Sequence, residues 1–370
     1  MKKSTVFFTI LCLGISSLSV QAQLTFPADG GNKKASVSER IGLTDVAIQY
    51  DRPAVKGRDG KIWGQLVHYG FKDLGFGTSK ESPWRAGANE NTTISFSTDV
   101  NVEGKSLAAG TYGLLMAVQE NDVTVIFSKS TTSWGSYFYD PKEDVLRVMV
   151  KPLKNQPSVE RLKYEFMNET DSSAVVALAW EKWVIPFTVS VNLLQTQLAS
   201  LRNELRGEKG FRWDAYQQAA AYLADHKTNL DEGLRWADYS INGQFVGEKN
   251  FNTLNTKARI LSLMNRTAEA DALMKEALPL ANMQETYQYG RQLIGQKKSK
   301  EALELFQGLA KKYPNVFMSN MGLMRGYSAV GDYKAATDWG KKALAQAPDD
   351  NNKANIERLL GQLAQGKDVN

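Results

Sequence analysis

The chain has 370 residues, of which 42% are hydrophobic and 23% are charged, and its formal net charge is +5. This length exceeds what one hydrophobic core usually serves, so we predict two folded domains. The composition excludes a disordered chain, and neither half of the chain is basic enough for a nucleic-acid-binding protein.

The first 22 residues have the pattern of a secretory signal peptide. Lys2 and Lys3 precede an apolar run over 6–20, and small residues allow cleavage after Ala22. The run is shorter than the ~20 residues that a membrane-spanning helix needs, which disfavours the alternative of a membrane anchor. We therefore expect an exported protein, periplasmic or secreted, with no membrane span in its mature part.

Cysteine chemistry is confined to this same segment. Cys12 is the only cysteine, and cleavage after Ala22 removes it. The bulky Leu11 before it disfavours lipoprotein processing. The mature chain is then free of cysteine, which excludes disulfides, thiolate metal sites and cysteine nucleophiles.

Residues 23–191 are expected to form an all-β antiparallel sandwich. From residue 35 onward apolar and polar residues alternate with the period of a strand that buries one face, and no helical period interrupts them. A turn-rich loop over 55–64 carries Trp63 as an apolar anchor. The pattern predicts nine strands, at residues 36–40, 45–50, 92–100, 111–118, 123–128, 145–151, 161–167, 174–180 and 183–191.

Several motifs of this half resemble a known family and occur in the family's order. They are Trp-Arg-Ala-Gly-Ala-Asn-Glu at 84–90, Ala-Gly-Thr-Tyr-Gly-Leu at 109–114, Ser-Lys at 128–129 and Trp-Gly-Ser-Tyr-Phe-Tyr at 134–139. Over roughly 35–191 the sequence is similar to the domain-of-unknown-function family numbered 2911, found in exported proteins of Bacteroidetes-type bacteria. Residues 71–81 form a longer insert than that family's pattern has. The resemblance implies the fold and the compartment, and it implies no activity.

Loops of the β half carry the candidate binding residues. Arg85 can hold a carboxylate or phosphate and Glu90 can accept protons, while tryptophans offer stacking faces for a sugar or an aromatic ligand. The alternative is an Arg85–Glu90 ion pair that fixes the loop, with Asn89 bonded to backbone. Turn chemistry is a second explanation for the segment before Pro53. The candidate binding residues are Asp51, Arg52, Arg58, Trp84, Arg85, Asn89, Glu90, Trp134 and Tyr137.

No catalytic residue, metal site or cofactor is predicted. The two histidines, His68 and His226, fall in different halves, so neither a multi-histidine metal site nor a Ser-His-Asp triad can be built. The sequence contains no Walker loop and no dinucleotide fingerprint. Glu90 with Asp51 or Glu165 could supply the acid and base of a glycan hydrolase, but a pair of acids is not a motif.

After residue 191 the spacing of apolar residues changes to three and four, which is the period of a helix. We predict a linker helix over 192–210, followed by an all-α array of tetratricopeptide-like repeats over 211–370.

Internal repetition is the evidence for that array. Residues 329–348 match residues 295–314 at an offset of 34, an earlier copy covers 264–279, and 215–242 is a weaker first member. Such helix pairs stack because no single pair can bury its own apolar face. The small residues expected where helices pack closely are Ala270, Ala302 and Ala336.

Together these features predict an exported binding or scaffold protein. A repeat array generally offers an extended surface to a protein or peptide partner, although it could also serve only to support the β domain. A small polar ligand or a glycan is the expected partner of the β domain. A cell-envelope glycan hydrolase that uses Glu90 and a purely structural envelope protein remain alternatives.

Overall fold

The computed structural model describes residues 31–370, and the predicted signal peptide at 1–22 lies outside them. The chain divides into two compact units, Met1–Gln197 and Leu198–Asn370. Strands build the first unit and helices the second. The predicted fold class, antiparallel β structure followed by an all-α array, is confirmed.

Eleven strands in the described part of the first unit form two antiparallel sheets. One sheet has the strand order β1-β2-β3-β6-β7-β8, and the other has the order β5-β4-β11-β10-β9. The strands are β1 (Lys33–Ile41), β2 (Thr44–Arg52), β3 (Thr93–Phe96), β4 (Val100–Val102), β5 (Lys105–Leu107), β6 (Gly110–Val118), β7 (Val123–Ser128), β8 (Asp144–Val150), β9 (Val159–Met167), β10 (Ser173–Glu181) and β11 (Trp183–Ser190).

The inner faces of both sheets share one hydrophobic core. Ile48 of β2 and Ile94 of β3 are direct partners in the first sheet, and both are completely buried. Phe127 of β7 meets Phe187 of β11 edge to face, with 5.9 Å between ring centroids. Burying one such side chain contributes about 1.5–3 kcal/mol, so this shared core is what holds the two sheets together.

Two short strands were missed by the sequence prediction. The strand predicted over 92–100 ends at Phe96, and the chain then enters β4 and β5 of the other sheet. Polar side chains bind backbone at this corner, because Ser97 Oγ accepts from the Asp45 amide at 2.8 Å and Asp99 Oδ1 accepts from the Ala109 amide at 2.8 Å. Three-residue strands contain too little alternation to be recognised from sequence.

The prediction that Trp63 anchors its loop is confirmed. Its ring stacks on Trp183 with 4.9 Å between centroids, and it meets Trp84 and Trp180 edge to face at 5.7 and 6.0 Å. Trp63 is 9% exposed. The loop after β2 is therefore held by aromatic packing against the sheet that contains β10 and β11.

Ten α-helices follow in the described chain, and none of them is both long and apolar enough to cross a membrane. Met283 and Phe317, the first residues of α6 and α8, are 34 positions apart, as are the first residues of α7 and α9. The helices are α1 (Leu193–Glu204), α2 (Trp213–Asp225), α3 (Leu230–Asn242), α4 (Phe251–Leu263), α5 (Thr267–Ala277), α6 (Met283–Gly295), α7 (Ser299–Lys312), α8 (Phe317–Ala329), α9 (Tyr333–Leu344) and α10 (Asp350–Ala364).

Helix pairing follows the predicted repeats. The weak first member at 215–242 forms the pair α2 and α3, and three more pairs follow it before α10. Ala270, Ala302 and Ala336 are buried at 2%, 0% and 0% exposure. These alanines do lie where the second helix of each pair packs closely against its neighbours.

Candidate functional site

A row of polar side chains lies on the outer face of the first sheet. Ser36, Gln49 and Thr93 are direct cross-strand partners in β1, β2 and β3. Lys34 is the partner of Asp51, two positions further along the same strands. Because side chains alternate between the two faces of a strand and Ile48 points into the core, these five residues share the opposite face.

The segment between Arg85 and Asn91 covers one end of this row. Gly87 allows the close approach, because a Cβ there would lie 2.5 Å from Thr92 Oγ1 and 3.3 Å from the Asp51 carbonyl oxygen. The hydroxyls of Thr92 and Tyr164 both donate to the carbonyl of Ala86, at 3.1 and 2.8 Å. The segment is therefore pinned against the end of β2, where it buries the Asp51 side chain.

The row of polar side chains and the segment between Arg85 and Asn91 together border a cavity of about 480 Å³. This volume falls within the range of about 300–1,000 Å³ that is usual for small-molecule sites. Its wall is largely polar and comes from β1, β2, β3 and two loops. The lining residues are Lys34, Ala35, Ser36, Gln49, Tyr50, Asp51, Glu90, Asn91, Thr93 and Thr131.

Two carboxyl groups meet in this cavity. Asp51 is 4% exposed, and its Oδ2 is buried without a hydrogen-bond donor among residues 31–370. Burial, followed by the hydrogen-bonding contact with Glu90, raises the pKa of Asp51 above its ordinary value. The pKa of Glu90 is lowered, first by its own backbone amide and then by Asp51. The buried Asp51 therefore holds its proton more tightly than the exposed Glu90 does.

The nearest cation to the pair belongs to Lys34. Its Nζ lies 3.3 Å from Glu90 Oε1, and the two side chains are 70% and 53% exposed. Asn91 adds a second acceptor, because its Oδ1 is buried without a donor among the described residues. The other side-chain atom of Asn91, Nδ2, donates to the Ser130 carbonyl at 2.9 Å. Two acceptor oxygens of residues that line the cavity thus have no donor among the described residues.

An aromatic surface adjoins the cavity through the backbone bridge between Glu90 and Trp134. Trp134 is 61% exposed and stacks on Tyr137 with 6.4 Å between centroids. The guanidinium carbon of Arg85 lies 5.4 Å from the Trp134 ring centroid and 5.9 Å from that of Tyr137. This arrangement is a cation–π contact that leaves one face of an aromatic platform at the surface.

The Arg85–Glu90 ion pair considered from the sequence does not form. Arg85 Nη1 donates to the Asn89 carbonyl at 2.8 Å, and Glu90 pairs with Lys34. The reason is that the backbone turns at Asn89, whose φ is 53°, so that its carbonyl rather than the next side chain meets Arg85. The Asn89 side chain accepts a hydrogen bond from Asn32 Nδ2 at 3.1 Å.

Three other candidate residues lie in structural contacts. Arg52 donates to the Leu162 carbonyl at 2.8 Å, and Arg58 donates to the carbonyls of Val55 and Ala54 at 2.9 and 2.7 Å. Trp84 packs on the core, and its Nε1 donates to the Gly87 carbonyl at 3.1 Å. The structure brings together Asp51 and Glu90 at the cavity, and Arg85, Trp134 and Tyr137 beside it.

Sequence reasoning missed Lys34 and Asn91 as members of this site. The register of β1 against β2 would have pointed to Lys34, because it places that residue opposite Asp51. Glu165, considered as a catalytic partner of Glu90, is instead paired with Lys163 at 2.5 Å. No group of three or more His, Cys, Asp or Glu side chains within 31–370 is arranged to hold a metal ion.

A family model matches the sequence of the β unit. Residues 32–189 match the model of a family described as "Protein of unknown function (DUF2911)". Among curated proteins, none matches the sequence.

Among solved structures, the chain is similar to several repeat proteins. A tetratricopeptide repeat protein from Parabacteroides merdae is 16% identical, with a TM-score of 0.32 over 47% of this chain and 70% of that one. YrrB, described as a TPR protein with an unusual peptide-binding site, is 17% identical, with a TM-score of 0.29 over 45% and 84%. MamA from Desulfovibrio magneticus RS-1 is 14% identical, with a TM-score of 0.28 over 43% and 95%.

Proposed function

Because the chain joins a domain of the DUF2911 family to tetratricopeptide-like repeats, we propose that it is an exported binding or scaffold protein. The repeats bind a protein or peptide partner, and the cavity of the β unit takes a small polar ligand. Helix pairs at a regular spacing support the first role, since such arrays expose an extended surface for protein contacts.

One contact within the helical unit carries the proposal. Arg325 of α8 donates from Nη1 to the carbonyl of Val369 at 3.0 Å, and the Val369 amide donates to Ser328 Oγ at 3.1 Å. The Val369 side chain is 7% exposed. Arg325 Nε also donates to the Tyr287 hydroxyl of α6 at 3.1 Å, which fixes the guanidinium across two helices.

This contact supports a peptide-binding role for the helix face. Both backbone groups of Val369 are bound by helix side chains, and Asp368 accepts a hydrogen bond from Ser328 Oγ at 2.6 Å. Backbone recognition of this kind depends little on sequence and is a general means of holding an extended peptide. A partner segment would use the same helices, α6 and α8, beside residues 368–370 or in their place.

Partner capture from intact cells tests this role. We expect the mature chain to retain at least one protein that the Arg325→Ala variant loses. The matched control is Arg358→Ala, because Arg358 lies on α10 and bonds only to Gln362 and Asn355 of its own helix among the described residues. If both variants retain the same proteins, the face formed by Arg325 is not the binding surface.

Export is supported by the signal-peptide pattern of residues 1–22 alone. We expect the mature protein to begin at Gln23 and to fractionate with periplasmic or secreted proteins. Mass determination of its N-terminus checks the cleavage point. Retention of the chain in the cytoplasm with residues 1–22 intact would contradict export.

Glycan hydrolysis is the second candidate function. It is favoured by one observation, two carboxyl groups that line the same cavity, Asp51 and Glu90, with pKa values displaced in opposite directions. A pair of carboxyl groups whose environments separate their pKa values is the usual arrangement for the acid and base of glycoside hydrolysis. Release of products from peptidoglycan fragments by the mature chain, abolished in Glu90→Gln, would support it. Equal rates of product release by the native chain and by the Glu90→Gln variant would exclude Glu90 as the catalytic group.

A further inference from the structure

The cavity of the β unit presents two acceptor oxygens that the described chain does not satisfy. Asp51 Oδ2 and Asn91 Oδ1 are both buried without a donor among residues 31–370, and both residues line the cavity together with Glu90. Buried polar atoms in native proteins nearly always have a hydrogen-bond partner. These oxygens are therefore suited to donors that a ligand supplies.

We propose that this cavity binds a small hydroxylated primary amine, such as an amino sugar, with its ammonium group at Asp51 and Glu90 and a hydroxyl at Asn91. The proposal rests on the ligand-binding role proposed above for the β unit, and it names the chemical class of that ligand. The remaining hydroxyls of the ligand would meet Ser36, Thr93 and Thr131, whose side chains both donate and accept.

Charge favours an ammonium group over a neutral donor. Among the residues that line the cavity, two have carboxyl groups and one, Lys34, is a cation, whose side chain is 70% exposed. Its ammonium already lies 3.3 Å from Glu90 Oε1, so this carboxylate is accessible to a group of that size and charge. An ammonium group at Asp51 favours the carboxylate form of that side chain, any proton it held being released to solvent, and it forms charge-assisted hydrogen bonds, the stronger kind.

Neither neighbouring arginine forms an ion pair with Asp51 or Glu90. Arg52 follows Asp51 in sequence but donates to the Leu162 carbonyl, and Arg85 donates to the Asn89 carbonyl. Neither guanidinium is directed at the carboxyl pair. A buried acid retained for stability alone would be expected to have such a partner.

A metal ion fits the cavity less well than an amine. Only two acidic side chains reach it, and no third Asp, Glu, His or Cys within the described residues completes a group. Calcium usually takes six to eight oxygen ligands, more than these side chains supply. A volume of about 480 Å³ suits an organic molecule of the size of a sugar.

Isothermal titration with three probes tests the proposal. Glucosamine is expected to bind the mature chain, whereas glucose and N-acetylglucosamine, which lack the ammonium group, bind at least tenfold more weakly. Asp51→Asn and Glu90→Gln, both near-isosteric, each weaken glucosamine binding about tenfold or more. Lys34→Met strengthens it by removing the competing ammonium. Glu169→Gln, which changes an exposed carboxylate outside the cavity, leaves it unchanged.

Three outcomes overturn the proposal. They are equal binding of glucosamine and glucose, undiminished binding of glucosamine by a folded Asp51→Asn variant, and binding of calcium alone with loss in Asp51→Asn, which would assign a metal site instead. Thermal melts confirm that each variant is folded. Partner capture through Arg325 is measured separately, so failure of the amine titration removes the ligand assignment and leaves the role of the repeats standing.

Discussion

Gly290 of α6 faces the ring of Phe306 of α7 so closely that a Cβ at Gly290 would lie 2.4 Å from two ring carbons. Phe306 is completely buried, and Gly322 of α8 approaches it from the next pair with a corresponding distance of 2.6 Å. Two glycines on successive first helices thus make room for one aromatic ring between them.

Gly290→Ala is expected to destabilise the helical unit by about 1–3 kcal/mol, because the added methyl overpacks a filled core. At this size of unit each kcal/mol lowers the midpoint by roughly 2–4 °C, which calorimetry of the mature chain resolves. Gly308→Ala is the control, since a Cβ at Gly308 of α7 meets nothing within 4 Å. Gly308→Ala should stabilise the helical unit by about 0.5–1 kcal/mol, because alanine has a higher helix propensity than glycine. If both variants changed the stability equally, the close packing of Gly290 on Phe306 would be contradicted.

Trp63→Ala is expected to destabilise the β unit by about 3–5 kcal/mol, because it removes the centre of the buried tryptophan cluster. Trp134→Ala, at a ring that is 61% exposed, should cost about 1 kcal/mol or less. Near-ultraviolet circular dichroism during thermal unfolding reports the cluster directly. Similar losses of stability in Trp63→Ala and Trp134→Ala would mean that aromatic packing does not hold the loop of Trp63.

Asp51→Asn is expected to raise the stability of the chain at neutral pH. The folded chain releases the proton of Asp51 at a higher pH than the unfolded chain, which releases it near the ordinary pKa of 3.8. Stability is therefore lost as pH rises from that value through the raised pKa, and the amide removes this loss. Urea titrations measure the free energy of unfolding of the variant and of the native chain. The difference between these two free energies should be small at pH 3 and should grow as the pH approaches neutrality.

Asp45→Asn, on the same strand, is the control, because the pKa of Asp45 is shifted in the opposite direction to that of Asp51. The hydrogen bonds from Arg40 lower the pKa of Asp45, so its contribution is present above the ordinary pKa and is lost as pH falls. Asp45→Asn should therefore be no more stable than the native chain at neutral pH. If Asp51→Asn behaves in the same way, the pKa of Asp51 is not raised in the folded chain.

Ser328→Ala is expected to speed hydrogen exchange of the Val369 amide by up to about tenfold, since it removes the one acceptor of that amide. Mass spectrometry or NMR of the mature chain measures the exchange rate of this amide. Ser262→Ala, at an exposed position of α4, should leave this amide unchanged. An unchanged rate in Ser328→Ala would show that the contact between α8 and residues 368–370 does not persist in solution.

Much of the architecture follows from local patterns. Alternation with a period of two predicted nine of the eleven strands, and the 34-residue offset predicted the helix pairs and the buried Ala302 and Ala336. A strand or helix imposes its period directly on the sequence, because one face of each is buried and the other is not. Trp63 could be recognised as an anchor for the same reason, as a large apolar residue in an otherwise polar, turn-rich loop.

The site depended on tertiary structure. The sequence by itself determined that Arg85, Glu90 and Asp51 lie near the ends of strands, but it could not assign their partners. Lys34 reaches Glu90 across 56 positions because β1 pairs with β2 in one register and the loop at Gly87 folds back over Asp51. Register and loop path are set by long-range packing, and a shift of one residue would move every side chain to the other face. The burial that raises the pKa of Asp51 therefore exists only in the folded chain.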